Sequence, residues 1–361
     1  MSHVSGGDMP GKPPLYCERE DWSDIVPIPQ YDGVNPLAPI FYNPEYKDAT
    51  DYFRGIVKTG ELSPRVLELT EKIIRMNPAH YSAWQYRYRT LLAVKAPLDV
   101  ELRLMDSLAI HFMKTYQVWH HRRLLLTLLT ASPSTATTSK PLPDAFDIAT
   151  SELEFIARVL EEDSKNYHTW SYREWILAHV DDARLWLGEL PYVDDLLEAD
   201  VRNNSAWHHR FFVVFSRGGK RSGASPVEEA EVLQREISFT KDKISLAPNN
   251  PSAWNYLRGL LDHTHTSWGK LVVFVLPYTQ LQPTTHSSDE VVDLDNPKPP
   301  AEAELPCAAA LDFLAEAYVR EGGEGVQKAV TLWKSLANEH DTIRKKYWEY
   351  RIKEALASKL V

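Results

Sequence analysis

The sequence predicts an all-α chain, a right-handed superhelix (an α-α solenoid) of stacked antiparallel helical hairpins. Three observations carry that expectation. Six segments align on a tryptophan, and five of the six place an arginine three residues later. With three inserts set aside, the repeating unit is roughly 35 residues, the size of one helical hairpin in a solenoid. Strand-like alternation of apolar and polar residues is nearly absent.

The elements follow in chain order. The opening, MSHVSGGDMPGKPP, is polar and rich in Gly and Pro, so residues 1–20 are expected to be flexible and 21–361 to form one superhelical domain. In the first repeat Val66, Leu69 and Ile73 lie on one helical face before Asn77-Pro78, and NPAHYSAWQYR follows around Trp84. The second copy is MKTYQVWHHR around Trp119. In the third, Leu153, Ile156, Ala157 and Leu160 recur at helical spacing. Asp163-Ser164-Lys165-Asn166 then breaks the stripe and offers caps to a helix starting near Trp170 and running through Ile176. VRNNSAWHHR around Trp207, APNNPSAWNYLR around Trp254 and TIRKKYWEYR around Trp348 complete the set. The Trp254 copy has Leu257 in the arginine position and Arg258 one place later.

Spacings between these tryptophans are 35, 51, 37, 47 and 94 residues. Ser132–Pro143 (SPSTATTSKPLP) swells the second and Arg217–Pro226 (RGGKRSGASP) the fourth. The last holds a Pro-rich stretch at 277–306 and room for one repeat without its tryptophan. Inserts of this composition are expected to be surface loops.

Composition narrows the function. Forty Lys plus Arg against 50 Asp plus Glu give a net charge of −10, which argues against general nucleic-acid affinity. Cys17 and Cys307 are the two cysteines, too few for a disulfide framework or a cysteine-based zinc site. A signal-peptide core is not apparent, the apolar run Leu271–Leu276 is far shorter than a membrane span, and the ending Ser-Lys-Leu-Val spoils a peroxisomal tripeptide. A cytoplasmic protein is expected.

The recurring tryptophan reads as scaffold, a ring that fills the gap between its own helix and the next hairpin. The arginine after it should tie the loops of adjacent hairpins to carbonyls or carboxylates. His120-His121 and His208-His209 suggest metal binding, but neighbours on a helix point ~100° apart and do not chelate together. No HExxH, Walker-type, GxSxG or GxGxxG motif is present. What varies between copies lies just before the tryptophan: His80-Tyr81-Ser82, then Lys114, Tyr116 and Gln117, then Asn166-Tyr167-His168. Stacked hairpins would line these up as a polar strip along one edge.

The repeats, with DWSDIVPIPQYDGVNPLAPIFYNPEYKDATDYFRGIV from Asp21 and YQVWHHRR from Tyr116, resemble one family closely. So do ELEFIARVLEEDSKNYHTW, YVDDLLEADVRNNSAW, SAWNYLRGLL and DTIRKKYWEY. They are similar to the α subunit shared by protein farnesyltransferase and type I protein geranylgeranyltransferase. The resemblance implies a helical crescent wrapped around a β subunit that holds a catalytic Zn²⁺, with Mg²⁺ assisting in the farnesyl enzyme. The heterodimer would transfer farnesyl or geranylgeranyl from its diphosphate to the cysteine of a C-terminal CaaX sequence, the β chain setting the lipid length.

Residue by residue, Lys114 falls on the family lysine that reaches the prenyl diphosphate, and Thr115 departs from the usual asparagine beside it. Tyr116 falls on a tyrosine of the active-site wall, and Gln117 on the glutamine that holds the peptide carboxylate. Asn166, Tyr167 and His168 match the family's Asn-Tyr-His beside the diphosphate and substrate; Lys165 is a second cation nearby. An ammonium beside the departing diphosphate would stabilise the transition state more than the ground state. Two rival readings are the α subunit of Rab geranylgeranyltransferase and a non-catalytic tetratricopeptide-like adaptor. The adaptor pattern needs Leu-Gly and Tyr after its tryptophan, where these copies have Arg.

Overall fold

The computed structural model describes residues 14–131, 144–216, 225–279 and 293–357, and their regular structure is helical throughout. A first compact unit ends at Asp182 and contains α1 (Pro44–Thr59), α2 (Pro64–Met76), α3 (Tyr81–Val94), α4 (Leu98–His111), α5 (Tyr116–Ala131), α6 (Ala145–Glu162) and α7 (Tyr167–Val180). A second begins at Ala183 with α8 (Ala183–Ala199), α9 (Asn204–Ser216), α10 (Pro226–Leu246), α11 (Pro251–His263) and the single turn α12 (Val272–Val275). It closes with α13 (Ala308–Glu321), α14 (Gly325–Ser335) and α15 (Lys345–Ala357). The hairpins are α2–α3, α4–α5 and α6–α7 in the first unit, and α8–α9, α10–α11 and α13–α14 in the second.

Five hairpins share one turn design. Their helices are joined by four residues: 77–80, 112–115, 163–166, 200–203 and 247–250. The last of these usually caps the next helix. Asn166 Oδ1 accepts from Thr169 N at 3.1 Å, Asn203 Oδ1 from Ser205 N at 3.0 Å and Asn250 Oδ1 from Ser252 N at 3.2 Å. His80 uses Nδ1 in the same way, at 3.1 Å from Ala83 N. These caps start the helices a turn before the tryptophan, so α7 begins at Tyr167 and not near Trp170. Each tryptophan then reaches back over its turn. The indole N–H of Trp84, Trp119, Trp170, Trp207 and Trp254 donates to the carbonyl six residues earlier at 2.8–2.9 Å.

Behind that turn lies a buried charged knot. Glu101, Glu152, Glu189 and Glu236 are each at most 4% exposed. Each accepts a hydrogen bond from the residue twenty places on: His121, Tyr172, His209 and Tyr256, at 2.7–2.9 Å. Arg87, Arg122 and Arg210 fork onto Glu101, Glu152 and Glu236 of the following hairpin. The arginines therefore join helix to helix rather than the loops that the sequence suggested. In the Trp254 copy the shifted Arg258 reaches Asp312 of α13 at 2.7 Å instead. Asp312 also accepts from the Trp333 indole at 2.9 Å. The α13–α14 hairpin is the repeat without a tryptophan in the first turn of its second helix, Trp333 coming late in α14.

The N-terminal expectation needs correction. Residues 14–20 belong to the packed structure: Tyr16 is fully buried, and its ring meets Trp22 at 4.8 Å and Tyr52 at 5.9 Å. A strap then crosses α1 so closely that a Cβ on Gly55 would lie 2.6 Å from the Val26 carbonyl oxygen. The insert at 132–143 lies outside the described residues. Of the second, 217–224 do too, but Ser225 and Pro226 open α10 as cap and first residue. Of the third, 280–292 lie outside, while 293–306 is tied down. Lys241 Nζ holds the Asp295 carbonyl at 2.8 Å, and Tyr278 Oη donates to the Pro297 carbonyl at 2.7 Å.

Candidate functional site at the N-terminal ends of α5 and α7

The turns that open α5 and α7 bring four of the six expected residues together. Lys114 sits in the 112–115 break with its side chain 78% exposed, its Nζ 3.3 Å from Asp163 Oδ2 of the next break. Burial would raise the Asp163 carboxyl, but hydrogen bonds from Lys114, the Lys165 N–H and Asn166 hold it below the usual carboxylate range. Tyr116 and Tyr167, each the first residue of its helix, are exposed. His168 lies between them, edge-on to Tyr116 with centroids 4.3 Å apart and 5.6 Å from the Tyr167 ring. Burial pushes the His168 imidazole down, against a hydrogen bond with the Lys114 backbone that pulls the other way. His168 thus joins the two turns.

Between α5 and α7 these rings open onto a cleft of about 450 Å³. Tyr116, Trp119, His120 and Arg123 line it along one stripe of α5, and Tyr167, His168 and Ser171 along α7. The other two expected residues stand apart. Asn166 is 3% exposed, with its oxygen capping α7 and its Nδ2 on Asp163 at 3.4 Å, so it positions the turn. Gln117 is half-buried and does not line the cleft. From the sequence, His120 was read only as half of a histidine pair, and Arg123 and Ser171 were not singled out. The signal was available: from Tyr116 the helical repeat runs through His120 to Arg123.

Among the described residues no three His, Cys, Asp or Glu side chains converge as a metal site. Cys17 is exposed, and Cys307 is buried with its Sγ on the Pro248 carbonyl at 2.9 Å. His121 is engaged with Glu101, and His209 with Glu189. This donor set does not fit a catalytic zinc.

The protein prenyltransferase alpha subunit repeat matches residues 63–94, 98–129, 149–180, 186–217 and 233–264, the five hairpins with four-residue turns. A Dictyostelium discoideum protein farnesyltransferase/geranylgeranyltransferase type-1 subunit alpha is 32% identical over 338 residues, 93% of this chain and 92% of the relative. A mouse geranylgeranyl transferase type-2 subunit alpha is also 32% identical, but over 226 residues, 60% of this chain and 37% of the relative. Among solved structures, Candida albicans protein geranylgeranyltransferase-I complexed with GGPP has a chain matching at TM-score 0.72 and 29% identity, covering 93% of this chain and 99% of that one. With the repeats matched and a type-1 relative aligned over 92% of its length, this chain belongs to the protein farnesyltransferase/geranylgeranyltransferase type-1 α-subunit family.

Proposed function

We propose that this chain is the α subunit of a heterodimeric CaaX protein prenyltransferase. With a β subunit, it takes part in moving farnesyl or geranylgeranyl from its diphosphate to the cysteine of a C-terminal CaaX sequence. The observation that carries the reading is Lys114, an exposed cation in the turn that opens α5, next to the aromatic-walled cleft, in a chain that a type-1 α subunit matches over 93% of its length. The shorter match to the type-2 subunit makes the Rab enzyme the weaker reading.

The chemistry assigned to this chain is electrostatic. As the acceptor sulfur bonds to the prenyl C1, the C1–O bond breaks and negative charge grows on the diphosphate. Lys114 meets that charge. Its pairing with Asp163 is exposed, a kind worth about 0–1 kcal/mol, so the ammonium exchanges it readily for a phosphate oxygen. His168, braced on the Lys114 backbone, and the two tyrosines shape the wall, and Gln117 is assigned the peptide carboxylate. The donor set here supports leaving Zn²⁺ to the β chain, where it would activate the acceptor thiol, and Mg²⁺ would help neutralise the diphosphate in the farnesyl enzyme. Among the described residues no helix is long and apolar enough to cross a membrane.

Co-expression with a type-1 β chain, zinc analysis of the purified complex and parallel farnesyl and geranylgeranyl assays test the reading. The complex should hold zinc and transfer a prenyl group, and the chain alone should do neither. Transfer by the isolated chain, or no complex with either β chain, sinks it.

A further inference from the structure

Arg123 stands out among the inward-facing arginines of the first unit. Arg87 and Arg122 each meet a buried glutamate. Arg123 is half-buried in the α5–α7 cleft, and its contacts are neutral: the Ser171 carbonyl at 3.0 Å, the Ser171 hydroxyl at 3.3 Å and the face of Trp175 at 5.5 Å. Its Nε–H is buried without an acceptor. Burial pushes the guanidinium pKa down, the direction of a cation short of counter-charge. A half-buried charge in this state is costly, and its cost falls when an anion enters the cleft.

Position says which anion. Arg123 is seven residues beyond Tyr116, about 10 Å along the helix, away from the Lys114 end. Lys114 is not among the residues that line the cleft, so a diphosphate held by Lys114 leaves the space beside Arg123 open. The cleft instead suits a side chain inserted from outside, past exposed Tyr116 and Tyr167. Tyrosine and arginine around a pocket are the residue types that anchor protein interfaces.

We propose that the α5–α7 cleft is a docking socket for an aspartate or glutamate side chain of the β subunit, with Arg123 as its counter-charge. The proposal rests on reading the chain as the α subunit of a heterodimer.

The test is the affinity of the full-length chain for a type-1 β chain, measured by surface plasmon resonance at several salt concentrations. Arg123→Gln should weaken the pair by about 30-fold or more, through faster dissociation and with a shallower salt dependence. Arg123→Lys should recover part of the loss, because a point charge replaces a fork. Thermal unfolding of each free variant checks its fold. A second series leaves this chain untouched: β-chain Asp and Glu residues are neutralised one at a time, and one of them should reproduce the loss. Affinities within about threefold of wild type in both series overturn the proposal. So does a raised KM for prenyl diphosphate with β affinity unchanged, which would give Arg123 to the donor. Failure of the wild-type chain to bind any β chain is a different result, because it removes the heterodimer reading itself.

Discussion

Lys114 has little to do for the fold, and that makes it a clean probe of the chemistry. It is exposed, lies in a turn and pairs with one carboxylate. Lys114→Ala should leave the heterodimer assembled and slow the chemical step by ~10²–10³, the usual loss for one preorganised donor on developing charge. Lys114→Arg should restore part of it. Single-turnover kinetics at saturating prenyl diphosphate is the measurement, and a rate within about threefold of wild type would shift the contact to Lys165. Gln117→Ala should raise KM for a CaaX peptide more than it lowers kcat, because the carboxylate is bound alike in ground and transition states. A fall in kcat at constant KM would remove that assignment. These residues were legible because the repeat aligns the turns before each tryptophan, so departures such as Lys114 and His168 stand out. Arg123 was hidden at the end of YQVWHHRR, where the pair Arg122-Arg123 looks like a single feature although Arg122 is buried on Glu152 and Arg123 faces the cleft.

Within a hairpin, the buried glutamate is the most sensitive point. Glu152 accepts from both Arg122 and Tyr172. Glu152→Ala would strip a nearly solvent-free guanidinium of its forked partner, leaving it only the partly exposed Asp106 carboxylate at 2.8 Å, and should cost about 3 kcal/mol, read as a lower urea midpoint. Joint replacement of Arg122 and Glu152 by apolar residues of similar volume should cost much less. Acid should expose the same design. Burial alone would raise the Glu101 carboxyl, but hydrogen bonds from His121 and Arg87 bring it down to about 2 from an ordinary 4.5. Burial also pushes His121 below its ordinary 6.5. Both groups are depressed on folding, so the unfolded chain binds the extra protons and stability falls as pH falls. The loss should begin below 6.5 with the histidine and continue from 4.5 toward 2 with the glutamate. Glu101→Gln should flatten the lower part of a stability-against-pH curve; an unchanged curve would show that the carboxylate contributes nothing. The helices and the Trp-to-Arg spacing were readable from the sequence. The glutamate was not read, because its partner lies twenty residues away on the other helix, yet a Glu eighteen places before Trp119, Trp170, Trp207 and Trp254 marks it.

Along the whole chain, the stacking of helical hairpins was visible in the tryptophan spacing. The packing of residues 14–20 and 293–306 was not, because it depends on single long-range contacts such as Tyr16 on Tyr52 and Lys241 on Asp295 that leave no periodic trace. The insert positions yield a further prediction. Replacing 132–143, or 217–224, by a short Gly/Ser linker should leave β binding and the thermal midpoint nearly unchanged. Extending the second deletion through Ser225 removes the α10 cap and should cost about 1 kcal/mol. A chain that aggregates after the first replacement would make that segment part of the fold. Insert 132–143 follows the C-terminal end of α5, whereas Lys114 precedes its N-terminal end, 16 helical residues or about 24 Å away. Each of these five hairpins thus has an edge where four residues are counted and pinned by an indole, and an opposite edge whose connections differ in length. Chemistry occupies the counted edge in α5 and α7. A fluorophore grafted into 132–143 would therefore ride on the helix that carries the site without entering it, and could report partner binding from the edge that tolerates change.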